Sequence, residues 1–434
     1  MAEDSNHNMQ MDRRTQIRKP LYRKWEFDVY IKYMTYFNVL ILSFVNLLKE
    51  TVNLGIIRAV VLFAAATWFF STKKVKSVTF NWLMLFSLWI VIMGVVTWMR
   101  YDFFPDKVLK VFLGSVAFAY GLFFINSFQR FIELNRVYMI SIIIILLTIL
   151  IANFTGVSYK LYADTGFSFG GQGVNIAKNL TVFVLPFPIY LILTKKKGQG
   201  LALRIIYVIC LVLIILSLKR GAMLGLLLGM AAYFMTSGRQ GKFLRNSLIV
   251  FAVLFFTYPL YEPVLQQTFL ARQDNFSLEE KDIESEGRFT EYKMTVQDIR
   301  HKSILRVITG EGVQAESKYF NIPRLHHTDL FSILFGSGAI GLVLYIMTYY
   351  GAFKETKFFR ILEKKKPMVR EMRAVIYALI AGLIGLSLSG VYHTIDLRAA
   401  AFLYIGGCLG LMRSYYIAGK IKNISPDDKT DLNG

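Results

Sequence analysis

The chain has 434 residues, 55% hydrophobic, 15% aromatic and only 18% charged, where soluble domains carry roughly 25% charged residues. That balance excludes a soluble enzyme, a disordered chain and a collagen-like fibre, and leaves an all-α polytopic membrane protein. The 50 basic and 29 acidic residues give a net charge of +21, which either nucleic acid or membrane topology would explain.

In chain order, residues 1–32 are polar and basic, with Arg13, Arg14, Arg18, Lys19, Arg23 and Lys24 and no signal-cleavage pattern. They are expected to form a cytoplasmic tail. About twelve apolar runs follow, each near the length needed to cross a ~30 Å hydrocarbon core. They lie at 33–48, 54–71, 78–99, 108–127, 137–155, 175–194, 201–217, 222–236, 245–262, 330–350, 374–392 and 399–417. Runs of this length satisfy their backbone in lipid only as helices, and the alternating ten-residue segments of a β-barrel are absent. The centres of the runs are nearly free of charge, apart from Arg58 near the start of the second.

With the N-terminus inside, most basic residues fall in inside loops: Lys73 to Lys76, Lys195 to Lys197, Arg239 to Arg245 and Lys354 to Arg373. Topology therefore accounts for the positive charge, and nucleic acid is not expected as a partner. The chain divides into a tail (1–32), nine helices (33–262), a large periplasmic loop between helices 9 and 10 (263–326), three helices (327–417) and a cytoplasmic tail (418–434). A loop of that length is expected to be folded or functional. A second outside loop carries Gly170-Gly171-Gln172-Gly173. Cys210 and Cys408 sit inside apolar runs and read as separate core thiols.

Four groups could carry chemistry. Ser217-Leu218-Lys219-Arg220-Gly221 puts two cations on the outside, where they either snorkel to headgroups or bind an anion in a cavity. Ser285-Glu286-Gly287-Arg288 lies in the long loop, where an arginine is most often a solvated charge. The junction Pro323-Arg324-Leu325-His326-His327-Thr328-Asp329 opens the tenth helix. Its histidines either sit at a helix start capped by Thr328 or Asp329, or offer a general base near neutral pH. His393, Asp396 and Arg398 occupy the last outside loop. No metal-ligand spacing and no nucleotide-phosphate loop appears, so neither a metal nor a nucleotide cofactor is expected.

Taken in order, these pieces resemble the O-antigen ligase and O-antigen polymerase superfamily of bacterial membrane glycosyltransferases. The pattern is Ser-x-Arg-Gly ending a helix, Gly-Arg in a large periplasmic loop, then a His-Asn-type element followed by Gly-x-x-Gly. Here Ser217 to Gly221, Gly287-Arg288, His327-Thr328 and Gly338-Ala339-Ile340-Gly341 supply them. Two departures are Thr328 in place of asparagine and the extra cation Lys219. The resemblance implies a metal-independent transferase of the inner membrane, working on its periplasmic face. It would move a glycan from undecaprenyl diphosphate to a saccharide hydroxyl, on lipid A core for a ligase or on a growing glycan for a polymerase. It implies His327 as base and Arg220 and Arg288 as diphosphate-binding catalytic residues. Lys219, His326, Arg324 and Asp329 would contact substrate. The competing class is a transporter or flippase of lipid-linked glycan, for which broken helices with mid-membrane charges would speak.

Overall fold

A computed structural model describes residues 27–40, 74–103, 108–155, 173–194, 197–217, 220–238, 241, 258–259, 262, 287–320, 328–388 and 395–423. The described residues are helices, turns and connections without a strand. Among the described residues three helices are long and apolar enough to cross a membrane, and several shorter apolar ones pack with them. The expected run at 54–71 and nearly all of that at 245–262 lie outside the described residues.

The segment 27–40 is helical, with a π turn over Tyr33–Phe37. It begins earlier than its apolar run because Phe27, Tyr30, Ile31 and Met34 already make a buried face at helical spacing. The helices that follow are α1 (Val78–Tyr101), α2 (Phe112–Phe124), α3 (Phe128–Thr155), α4 (Gly173–Val184) and α5 (Phe187–Leu193). Next come α6 (Lys197–Leu216), α7 (Arg220–Ser237), α8 (Gly287–His301), α9 (Ile304–Thr309) and α10 (Glu316–Tyr319). The last three are α11 (Asp329–Phe358), α12 (Pro367–Ser387) and α13 (Ile395–Asn423). The expected run at 175–194 is two helices, because Pro186 cannot donate to the ladder and starts α5 afresh.

Among the described helices the most closely packed pairs are α2 with α13, α7 with α12, and α1 with α11. Glycines let the backbones close up. A Cβ on Gly410 would lie 2.6 Å from the Leu122 carbonyl oxygen, and one on Gly121 would lie 2.7 Å from the Gly407 nitrogen. Small residues at such crossings are how helices gain dispersion contact without a hydrophobic drive between them. Buried hydroxyls return to their own helix, as in Ser87 to Leu83 O at 2.8 Å and Thr148 to Ile144 O at 2.8 Å. Outward, α1 exposes Leu85, Leu88, Ile92 and Val95 at helical spacing. Apolar residues on both faces fit a helix set in lipid.

The neighbours fix the helix directions. Thr181 meets Ala222 and Leu185 meets Gly229, so α4 and α7 run parallel. Gly225 meets Leu386 and Gly229 meets Ala378, so α12 runs against α7. We call the end where α1 finishes and α11 begins the upper end. The starts of α4, α7 and α13 and the end of α12 lie there too. The lower end carries the basic stretch from Lys354 to Arg373. There Glu355 accepts bonds from Val78 N (2.6 Å), Ser77 Oγ (3.0 Å) and Thr79 Oγ1 (3.0 Å), closing the start of α1.

Candidate functional site

The upper end is where the long loop meets the bundle. Part of that loop is folded: α8, α9 and α10 lie within it. After α9 the chain turns at Gly310 (φ 90°) and Gly312 (φ 127°), left-handed values that suit glycine. The turn inserts between α1 and α11. Glu311 N donates to Phe335 O (2.9 Å), Gly312 N to Gly336 O (2.9 Å) and Val313 N to Met93 O (3.4 Å). The Phe335 and Gly336 carbonyls are available because α11 breaks at Gly338 (φ 66°), releasing the i→i+4 ladder. A Cβ on Gly310 would sit 2.6 Å from Gly336 O, so the crossing tolerates no side chain. The Gly338-x-x-Gly341 element thus has a structural use here: it makes the kink that receives the loop.

The inserted turn brings Glu311 into the interior, 2% exposed. Arg100 Nη1 reaches its Oε2 at 2.7 Å and its carbonyl at 3.0 Å. Lys302 Nζ lies 3.5 Å and Arg306 Nη1 3.4 Å from Oε1. Lys302 also pairs with Asp298 and lies over the rings of Phe335 (4.3 Å) and Tyr319 (4.7 Å). Tyr319 donates to Asp298 at 2.5 Å. Loss of water, and then that bond, push its phenol up, so it remains a donor. Nearby, fully buried Glu316 accepts from Ser332 Oγ at 2.6 Å.

The start of α11 is held from the other side. Thr328 is its extended N-cap residue (φ −124°, ψ 137°), yet its buried hydroxyl makes no capping bond. Asp329, in the first turn, has no exposed surface and pairs with Arg398 of α13. Arg398 lies 4.9 Å over the Tyr345 ring and 3.4 Å from its hydroxyl. Tyr345 in turn bonds Ser387 (2.6 Å) and Tyr349 (2.8 Å). The Asp329 carboxylate therefore faces a protein cation. Arg398, expected only as a neighbour in the last outside loop, is its partner.

Of the other expected site residues, Lys219, Arg324, His326 and His327 lie outside the described residues. Arg220 opens α7 and Arg288 is the second residue of α8, and the described residues do not include their side chains. His393 lies outside them too, and Asp396 contributes only backbone at the start of α13. A residue the sequence reading passed over is Lys178, 5% exposed on the second turn of α4. The signal was present as the single basic residue between Lys160 and Lys195. Cys210 and Cys408 are both buried and free. Among the described residues no group of three His, Cys, Asp or Glu is placed to hold a metal ion.

Residues 205–346 match the family model described as O-antigen ligase. The match covers about a third of the chain, from α6 to just past the kink in α11. It takes in Ser217 to Gly221, Gly287-Arg288, His327 and Gly338 to Gly341. No curated protein matches the chain. The resemblance to the O-antigen ligase superfamily thus holds on the segment that carries its motifs. A region similar to O-antigen ligases, set among apolar helices, supports a membrane protein with a glycosyltransferase-type role in polysaccharide biosynthesis.

Proposed function

We propose that the upper end faces the periplasm and transfers a glycan from undecaprenyl diphosphate to a saccharide hydroxyl. The observation that carries this reading is the O-antigen ligase match, which spans all three motif elements in order. The direction of the helices that bear them supports it: α7 begins with Arg220, and α11 begins two residues after His327, both at the upper end.

The acceptor hydroxyl oxygen attacks the anomeric carbon, and His327 takes its proton. The bond from that carbon to the diphosphate oxygen breaks, and undecaprenyl diphosphate leaves with the electron pair and an added negative charge. Arg220 and Arg288 offset that charge with planar, bidentate donors. Cations placed in advance supply the electrostatic role a metal would otherwise play. Lys219, Arg324 and His326 flank these groups as substrate contacts. Asp329 holds the helix start through Arg398.

The test is transfer in purified, reconstituted protein from a lipid-diphosphate donor. His327→Ala should lower the rate by roughly 10²–10⁴, while His326→Ala is milder. Arg220→Ala and Arg288→Ala should each be crippled, and Arg220→Lys impaired because the planar fork is lost. Normal turnover in both arginine variants sinks the donor assignment. Normal turnover in both histidine variants removes histidine as the base. Offering lipid A core and a lipid-linked repeat unit as rival acceptors separates ligase from polymerase.

A further inference from the structure

At the lower end a cavity of about 310 Å³ lies between α2, α11 and α13. Its walls are apolar and aromatic: Leu122, Phe358, Phe359, Leu409, Tyr416 and Ile417. Phe358 and Ile417 are half-exposed and mark where it opens. Phe358 meets Phe359 edge-on at 5.3 Å and Tyr416 at 5.2 Å, so the aromatic wall is packed. Two charged residues complete the lining, Glu355 and Arg413. An apolar shell with a few placed polar groups is the make-up of a ligand pocket.

These two charges share a cavity yet do not pair with each other. Each is tied instead to the start of α1. Glu355 accepts from Val78 N, Ser77 Oγ and Thr79 Oγ1, all uncharged donors. Arg413 Nη2 donates to Lys76 O at 2.7 Å. The anchors are neighbours in the chain, so both side chains are pinned at one end of the cavity. Among the described residues neither forms an ion pair. A carboxylate offers about four acceptor positions and a guanidinium about five donors, so each keeps bonding capacity beyond its anchor.

We propose that this cavity binds a zwitterionic phospholipid with a primary amine, a phosphatidylethanolamine, from the leaflet at the lower end. Its phosphate meets Arg413, its ammonium meets Glu355, and its acyl chains leave past Phe358 and Ile417. The planar guanidinium fits phosphate oxygens. A primary ammonium can donate to the carboxylate, as a lysine does, whereas a quaternary choline has no N–H to give. A net-anionic headgroup would set uncompensated negative charge beside Glu355. Aromatic side chains such as Tyr416 are at home at headgroup depth. The site stands apart from the transferase reading and from the chemistry of the upper end.

The experiment titrates the full-length protein, delipidated in detergent, with phosphatidylethanolamine, phosphatidylglycerol and phosphatidylcholine, and counts bound lipid by native mass spectrometry. Phosphatidylethanolamine should fill one site ahead of the other two. Loss of one charge-assisted bond corresponds to about ten- to a hundredfold. Arg413→Met and Glu355→Gln should each weaken its binding by that factor, and Arg413→Lys by less. Glu355→Gln keeps the cap of α1, because the Ser77 and Thr79 hydroxyls can turn to accept from the amide. The same variant should tighten phosphatidylglycerol, since the repelling charge is gone. Opposite changes for two lipids are something a damaged cap cannot produce. Ile417→Trp narrows the mouth without touching either charge and should exclude the lipid. The proposal is overturned if the parent prefers phosphatidylglycerol, which would make the site a basic patch. Equal binding of the choline lipid would remove the carboxylate's part and overturn it too. So would Glu355→Gln weakening both lipids alike, or unchanged binding in Ile417→Trp.

Discussion

Arg398 and Asp329 show what a buried ion pair costs to break. Neither side chain is appreciably exposed, and their helices begin at the same end of the bundle. Arg398→Met leaves the Asp329 carboxylate inside without its cation, which typically costs about 3–5 kcal/mol. The double replacement Asp329→Leu with Arg398→Met should recover most of that loss. Thermal unfolding in detergent measures both, and equal losses for the single and double variants would contradict the pairing. The sequence placed both residues at the outer side but could not pair them, because 69 positions separate them and neither segment alone predicts its neighbour. Lys178 escaped notice for a different reason: a single cation scarcely lowers the hydropathy of an apolar run, so it is hidden in the pattern that defines the helix.

At the scale of elements, the fit between the inserted turn and the kinked helix depends on three glycines in positive φ, Gly310, Gly312 and Gly338. Gly338→Ala meets both a disfavoured backbone region and the carbonyl of Ile308. A conformational strain of about 1–3 kcal/mol, before any steric cost, is expected. Glu311→Gln should act differently. It keeps the shape and removes the charge facing Arg100, Lys302 and Arg306, so hydrogen exchange should quicken across 304–320 while α7 and α12 stay protected. Uniform protection in the variant would mean the glycine crossing alone holds the turn. Helix existence was legible from long apolar runs: those at 78–99, 108–127, 201–217 and 222–236 reappear within a few residues, while the helices Phe128–Thr155, Asp329–Phe358 and Pro367–Ser387 extend well past their runs. The break at Leu185-Pro186 was visible as a proline, yet the run read as one span because apolar length outweighs one residue. Glu311 looked like any polar loop residue. Its burial comes from Arg100, 211 positions earlier, and from a kink that only tertiary contact creates.

For the whole molecule, the direction of the helices sorts the charges. Lys76, Lys354, Lys357, Arg360, Lys364 to Lys366, Arg370 and Arg373 all sit toward the lower end, while the folded loop caps the other. The positive-inside tendency favours a cytoplasmic lower end, the orientation proposed above. Single cysteines placed at Lys365 and at Ser303, in a chain with Cys210 and Cys408 replaced, test this. Position 303 should react with an impermeant maleimide on intact cells, and position 365 only after permeabilisation. Labelling of 365 from outside would invert the orientation and move the proposed site to the cytoplasm.

Glu355 carries a consequence for how the protein is made. The carboxylate that closes the start of α1 is encoded 277 residues after Val78, whose amide it receives. At roughly 5–20 residues per second, a ribosome needs about 15–55 s to reach it. Throughout that interval the nascent α1 must rely on Ser77, whose hydroxyl already accepts from Phe80 N at 3.2 Å. Ser77→Ala should therefore weaken insertion of the growing chain more than it weakens the finished protein, in which Glu355 receives Val78 N as a second cap.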